Sequence, residues 1–340
     1  LIRNELDAPP AEGEAIELAP DVLWMRLPLP LKLDHVNVYA LADDDGWTII
    51  DTGFDTRRSR AIWQKLLAGP LAGRPVTRVI ATHHHGDHIG LAGWFQSMGA
   101  SLATSRTSWL MARMSILDVQ DRPTPEAIAF YRRAGMSPEM IEERASERPF
   151  NMADICHPLP PGYQRLTEGA VLHFGRRQWI VRMGAGHAPE HATLWSQTDD
   201  LVIGGDQLLA SISPNLGVYP NEPTADSVGD WLDSCERLAR FATPDQLVLP
   251  GHKLPYRGLP FRLNQLIVNQ RSALVRLQAA LAEQPRTVVD CFDTLYRRVI
   301  GKGEFGLALA EAIGHVNNLA DAGKVWPVGQ TKDGAVLWGA

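Results

Sequence analysis

The stretch Thr82-His83-His84-His85-Gly86-Asp87-His88-Ile89-Gly90 decides the reading of this chain. It follows an apolar run, residues 76–81, that reads as a buried strand, and precedes a short helix-like segment, residues 91–98, closed by Gly99. Its pattern, His-x-His-x-Asp-His, sets three imidazoles and a carboxylate within six positions on a turn leaving a strand. Such a turn can aim His83 and His85 at one metal ion while Asp87 and His88 face a second. Imidazole nitrogen and carboxylate oxygen are the donors that zinc and similar borderline ions favour. A run of surface histidines is the alternative, and the glycines inside and after the cluster and the strand before it argue against that.

Three further signals follow in order: Gly186-His187-Ala188-Pro189, Gly205-Asp206 after an apolar strand, and Pro250-Gly251-His252. Together with the first stretch they resemble the metallo-β-lactamase superfamily over about residues 18–260. The resemblance implies an α/β fold, an αββα sandwich with metals at one edge. It assigns His83, His85 and His187 to one ion, Asp87, His88 and His252 to the other, and Asp206 to the bridge. It also implies two divalent ions, zinc first with iron or manganese accepted by the same donors, and a nucleophilic hydroxide shared between them. Asp87 is the candidate for proton transfer to a leaving group. Asp51, in Asp51-Thr52-Gly53, is expected to orient a ligand imidazole, and His191 to stand behind the ligands.

The ligand set separates relatives. Iron-containing flavoprotein members carry Glu where His85 stands here, and true β-lactamases generally lack the bridging Asp. Asp206 therefore points toward the glyoxalase II, lactonase and nuclease branches. The expected activity is hydrolysis of a small-molecule thioester, ester or lactone. The alternatives are a metal-dependent endoribonuclease or phosphodiesterase, and a mononuclear iron dioxygenase of the persulfide type.

Composition bounds these options. At 340 residues and 45% apolar, the chain can bury a large core plus an appendage. A net charge of −6 gives no basic footprint for nucleic acid, leaving Arg57, Arg58, Arg60, Arg176 and Arg177 as the few candidates for a groove. Cys156, Cys235 and Cys291 are odd in number and far apart, which suits a reduced compartment. No membrane span and no signal peptide ahead of the first strand are expected, hence a cytoplasmic protein.

Taken in order, residues 1–17 read as an arm, and residues 22–27, 36–41 and 47–50 as an antiparallel meander. Residues 57–67 read as a helix and 101–104 as a strand. Residues 105–166 interrupt the sandwich with helices marked by Thr124-Pro125-Glu126 and Ser137-Pro138-Glu139, each an N-cap, a first-turn proline and an acid. This insertion is expected to form a lid or pocket wall, with Met111, Met114, Phe130, Tyr131, Met136 and Met140 either lining a pocket or forming core. Residues 170–174, 178–183, 192–197 and 201–203 resume the strands. The loop 211–224 offers Asn215 and Tyr219 as candidates for substrate contact. Residues 225–241 form an amphipathic helix, and 246–249 the last strand.

From residue 261 three helices and a closing hairpin resemble the winged-helix module of some superfamily members, giving an arm (1–17), a sandwich domain (18–260) and a C-terminal domain (261–340). The third helix carries Glu311 and Asp321 and lacks arginine, which favours packing or a homodimer contact over DNA binding.

Overall fold

A computed structural model describes residues 1–340. Contacts within the chain divide it into two compact units. The first comprises Leu1–Val119, Asn151–Pro214 and Leu238–Leu263, and the second Gln120–Phe150, Asn215–Arg237 and Asn264–Ala340.

The first unit is built on two seven-stranded sheets. One runs edge to edge as Ile16–Ala19, Val22–Pro28, His35–Ala42, Trp47–Ile50, Val76–Ile80, Ser101–Ser105 and Gln164–Leu166. Its first four strands are antiparallel, and pairing turns parallel from Trp47–Ile50 onward. The other runs Arg3–Asn4, Tyr256–Arg257, Leu247–Pro250, Leu201–Gly205, His191–Ser196, Arg177–Gly184 and Val171–Phe174.

Period-two alternation explains how the sheets meet. Along Arg177–Gly184, Trp179 and Val181 are buried while Gln178 is exposed. They join Trp24, Tyr39, Leu41 and Ile80 of the first sheet and Leu194, Ile203 and Leu249 of the second in one core. The opposite face of the first sheet packs Met25, Val38 and Val79 against helices Arg57–Ala68, Ala92–Ser97 and Arg106–Leu117. Ile62, Trp63 and Leu66 form the buried stripe of Arg57–Ala68, each side chain contributing roughly 1.5–3 kcal/mol by leaving water. That helix starts where Thr56 accepts a hydrogen bond from Ser59 N (3.0 Å).

The second unit collects helices Pro125–Arg133 and Pro138–Ser146, most of Leu259–Glu283, the short Phe292–Tyr296, Phe305–Asp321 and the ribbon Trp326–Gln330/Val336–Gly339. The two expected N-caps form: Thr124 accepts from Ala127 N (3.2 Å) and Ser137 from Met140 N (3.3 Å). Gly135 ends the first of these helices at φ +98°, where a Cβ would meet Thr287 Oγ1 at 2.6 Å.

The α/β fold with two sheets and a C-terminal helical region is thus the one the sequence indicates. The 105–166 segment divides differently from the single wall expected of it: Arg106–Leu117 stays with the first unit, while 120–150 belongs with the second. Tyr131 and Met136 are core there with Leu277, Phe292 and Leu309, as the core reading has it, while Met114 is 51% exposed and belongs to neither reading. Phe130 borders a cavity of about 520 Å³ in the second unit, beside Ile313, Val316 and Trp338, and Met136 borders another of about 430 Å³ beside Ile128 and Ile141. No helix is long and apolar enough to cross a membrane.

Candidate metal centre

The strand Val76–Ile80 ends in the interior of the first sheet, and the chain then turns through Thr82 to His85 into one helical turn, Gly86–Ile89. This turn is gripped from the end of Trp47–Ile50: Thr52 N and Oγ1 both donate to His88 O (2.8 and 2.9 Å), and Gly53 N donates to Asp87 O (3.0 Å). Asp51 sits at φ +57°, a left-handed conformation that a non-glycine residue holds only when its surroundings impose it. Its carboxylate accepts from Thr82 N (2.8 Å), Thr82 Oγ1 (2.9 Å) and His88 Nδ1 (2.8 Å).

These bonds fix ring tautomers. Thr82 Oγ1 donates to Asp51, so it accepts from His83 Nδ1 (3.0 Å), which leaves the Nε2 lone pair of His83 facing inward. His88 Nδ1 donates to Asp51 and His252 Nδ1 donates to His35 O (2.7 Å), so their Nε2 atoms also face inward. His191 differs: its Nε2 accepts from Asp206 N (3.1 Å), and the ring stacks on His83 at 4.6 Å between centroids. It therefore stands behind the inward-facing set.

Four dispersed segments converge on one place. The donor atoms of His83, His85 and His187 lie within 4.8 Å of one another, as do those of His83, His88 and Asp206 and those of Asp87, His88 and His252. His252 Nε2 is 3.4 Å from Asp87 Oδ2 and 3.2 Å from Asp206 Oδ2, and His187 Nε2 is 3.4 Å from Asp206 Oδ2. Glycine makes the approach of His252 to Asp206 possible, since a Cβ on the preceding Gly251 would run into Asp206 Oδ1. Each of the seven sequence-predicted ligand residues is here, with Asp51 and His191 against them. Asn215 and Tyr219 belong to the second unit, where Asn215 Nδ2 donates to Leu307 O (3.0 Å).

The donor set fits divalent metal. His88 Nε2 and Asp206 Oδ1 are buried 3.4 Å apart and neither makes a hydrogen bond, a costly arrangement for two polar atoms unless a cation joins them. Electrostatics divide the rings into two kinds. Burial, reinforced by neighbouring imidazoles, pushes the pKa values of His83 and His85 well below the ordinary value, so they stay neutral with lone pairs available. Burial acts the same way on His88 and His252, but the carboxylates of Asp87 and Asp206 outweigh it, raising His88 well above its ordinary value and His252 to about 10. Burial would raise Asp87 and Asp206, yet His88 and His252 hold both below the usual carboxylate range.

Comparison with known proteins reaches the same place. Residues 31–99 match the family model described as the metallo-beta-lactamase superfamily. The chain is 32% identical to a beta-lactamase domain protein from Burkholderia ambifaria of known crystal structure, with 100% of this chain and 98% of that one covered and a TM-score of 0.85. The chain belongs to the metallo-beta-lactamase superfamily. Other similar members are a metallo-beta-lactamase family protein, TTHA1429, from Thermus thermophilus (25% identity, 95% and 99% covered, TM-score 0.78) and the probable metallo-hydrolase YqjP of Bacillus subtilis strain 168 (26% identity over 311 residues, 88% and 92% covered). Superfamily membership together with the His/Asp cluster makes this chain a metal-dependent hydrolase.

Sequence reasoning missed the residues that hold the cluster in place: Thr52, Thr82, His35 and Asn37. Thr82 adjoins the histidine run, and its neighbourhood was the only available signal. Thr52 stands in the Asp51-Thr52-Gly53 stretch, where only Asp51 is given a role, and His35 and Asn37 look like ordinary strand residues until the fold places them.

Proposed function

We propose that this protein is a dinuclear hydrolase of small-molecule thioesters, esters or lactones. The supporting observation is the convergence of two histidine-containing groups, His83/His85/His187 and Asp87/His88/His252, on either side of Asp206. Asp206 has one oxygen 3.4 Å from His88 and the other near His187 and His252, so its carboxylate is placed to serve both groups. Two divalent ions, zinc foremost, would supply an acidified water as nucleophile and polarise the oxygen of the scissile carbonyl.

The chain's own residues do the remainder. Asp51 and His35 hold the imidazoles of His88 and His252 in the tautomer that turns Nε2 inward. Asp87 is the more open carboxylate of the cluster, its side chain 17% exposed against 8% for Asp206, which supports a role in relaying the nucleophilic water's proton to a leaving group.

The charge pattern supports a small-molecule substrate over a nucleic acid. Of the five arginines offered for a groove, Arg58 pairs with Glu12, Arg60 with Asp55, Arg176 with Asp21 and Asp44, and Arg177 with Asp199. Helix Phe305–Asp321, the one a winged helix would set on DNA, buries most of its residues from Ala308 to Leu319. Hydrolysis of an acyl thioester, an acyl lactone and a single-stranded RNA by the metal-loaded protein tests the proposal. Turnover of the thioester or lactone without RNA cleavage is expected. RNA cleavage abolished by Asp87→Ala would overturn it.

A further inference from the structure

His252 reaches the cluster on the turn Pro250–Lys253, and that turn is held by the sheet opposite the one that carries it. Asn37, only 1% exposed on strand His35–Ala42, donates through Nδ2 to both Pro250 O (2.9 Å) and Lys253 O (2.8 Å), and its backbone N donates to Gly251 O (2.7 Å). Its Oδ1 accepts from Arg26 Nε (2.9 Å), and Arg26 Nη2 reaches Lys253 O at 2.6 Å. Tyr39 OH donates to Pro250 O (2.8 Å). His35 completes the clamp: its Nε2 accepts from Lys253 N (2.9 Å) while its carbonyl accepts from His252 Nδ1. Lys253 itself sits at φ +67°, so the turn adopts a conformation its own sequence disfavours.

We propose that Asn37 is a positioning residue for His252, and that it sets the affinity of the Asp87/His88/His252 group for its ion while leaving the His83/His85/His187 group untouched. Only a side-chain amide suits the place. It must donate to two carbonyls and accept from a guanidinium; Asp cannot donate and Leu can do neither. The clamp does not touch the other group: His83 is held through Thr82 by Asp51, which lies on a different segment from Asn37.

The inference rests on the dinuclear reading above, and the test separates the two. Full-length wild type, Asn37→Leu, His252→Ala and His83→Ala are stripped of metal and titrated with Co²⁺, with visible absorption and elemental analysis as readouts. Leu41→Ala, in the core between the sheets, serves as a control for destabilisation alone. Wild type should bind two equivalents. Asn37→Leu should keep one unchanged and bind the other roughly 10–100-fold more weakly, with a spectrum matching that of His252→Ala and not His83→Ala. Equal weakening of both equivalents, as in the control, or two unaltered equivalents, would overturn the role of Asn37. A wild type that binds a single equivalent would overturn the dinuclear reading and this inference with it. If Asn37→Leu fails to fold, Arg26→Met removes one leg of the clamp and should produce the same selective loss, several-fold in size.

Discussion

Asp87 and Asp206 in the first unit and Glu311 in the second are all carboxyl groups taken largely out of water, and they respond in opposite ways. Asp87 and Asp206 face His88 and His252, which hold them ionised despite burial. Glu311, on helix Phe305–Asp321, has Asn215 Nδ2 3.5 Å away and no compensating cation, and burial pushes its pKa from 4.5 up to about 7. Tyr219 and Tyr296, on the elements packed around it, are likewise raised by burial, Tyr219 to about 12. Burial alone therefore does not set the charge of a carboxyl group in this protein: it prevails at Glu311 and is overridden at Asp87 and Asp206 by the imidazoles gathered round them. Where imidazoles gather, negative charge is kept and a divalent cation finds ready donors.

The largest test of that contrast is removal of its central carboxylate. Asp206 lies within 3.4 Å of His88, His187 and His252, so Asp206→Ala should abolish binding of both ions and all hydrolysis, measured by elemental analysis and turnover. Retention of one tightly held ion would show that the two groups do not share it.

Removing one imidazole should break the symmetry. His252→Ala is expected to lose the ion of the carboxylate-rich group and keep the other, and His83→Ala the reverse. Isothermal titration with Zn²⁺ would show one tight equivalent in each, and identical losses in both variants would mean the groups act as one.

Asp51→Asn is a subtler change, and it acts on both groups, through His88 directly and through Thr82 on His83. The amide retains the shape and loses one acceptor, which should weaken metal binding and activity roughly 10–100-fold. An unchanged affinity would remove Asp51 from its orienting role.

The smallest effect belongs to Glu311. Its folded pKa lies above the ordinary 4.5, so between pH 4.5 and about 7 the unfolded chain has released a proton that the folded chain keeps. Stability should fall as pH rises through that window and level off above it. Glu311→Gln should therefore match the wild type near pH 4 and melt higher at pH 8, on the order of 2–4 °C by calorimetry. An equal shift at both pH values would assign the gain to something other than ionisation.

The contrast also explains what could be read from the sequence. His83, His85, Asp87 and His88 announce themselves because their chemistry is concentrated on one turn, and His187, Asp206 and His252 follow in Gly-containing turns after strands. The helices Pro125–Arg133 and Pro138–Ser146 of the second unit were legible from Thr124-Pro125 and Ser137-Pro138. Their grouping was not: an amphipathic pattern shows that a helix buries a face without naming what it buries it against, so residues 120–150 read as a wall of the sandwich domain. Asn37 was invisible for a related reason, since its partners Pro250 and Lys253 are distant in sequence and are backbone carbonyls that carry no residue signature. Glu311 reads as an ordinary surface acid of a helix until the loop bearing Asn215 and Tyr219 packs against it.

The most direct measurement is the metal content of the purified wild-type chain, by elemental analysis after dialysis against metal-free buffer. Two divalent ions per chain, one for each group around Asp206, are expected. One ion per chain, and above all a single iron, would contradict the dinuclear hydrolase and move the protein to a different chemistry.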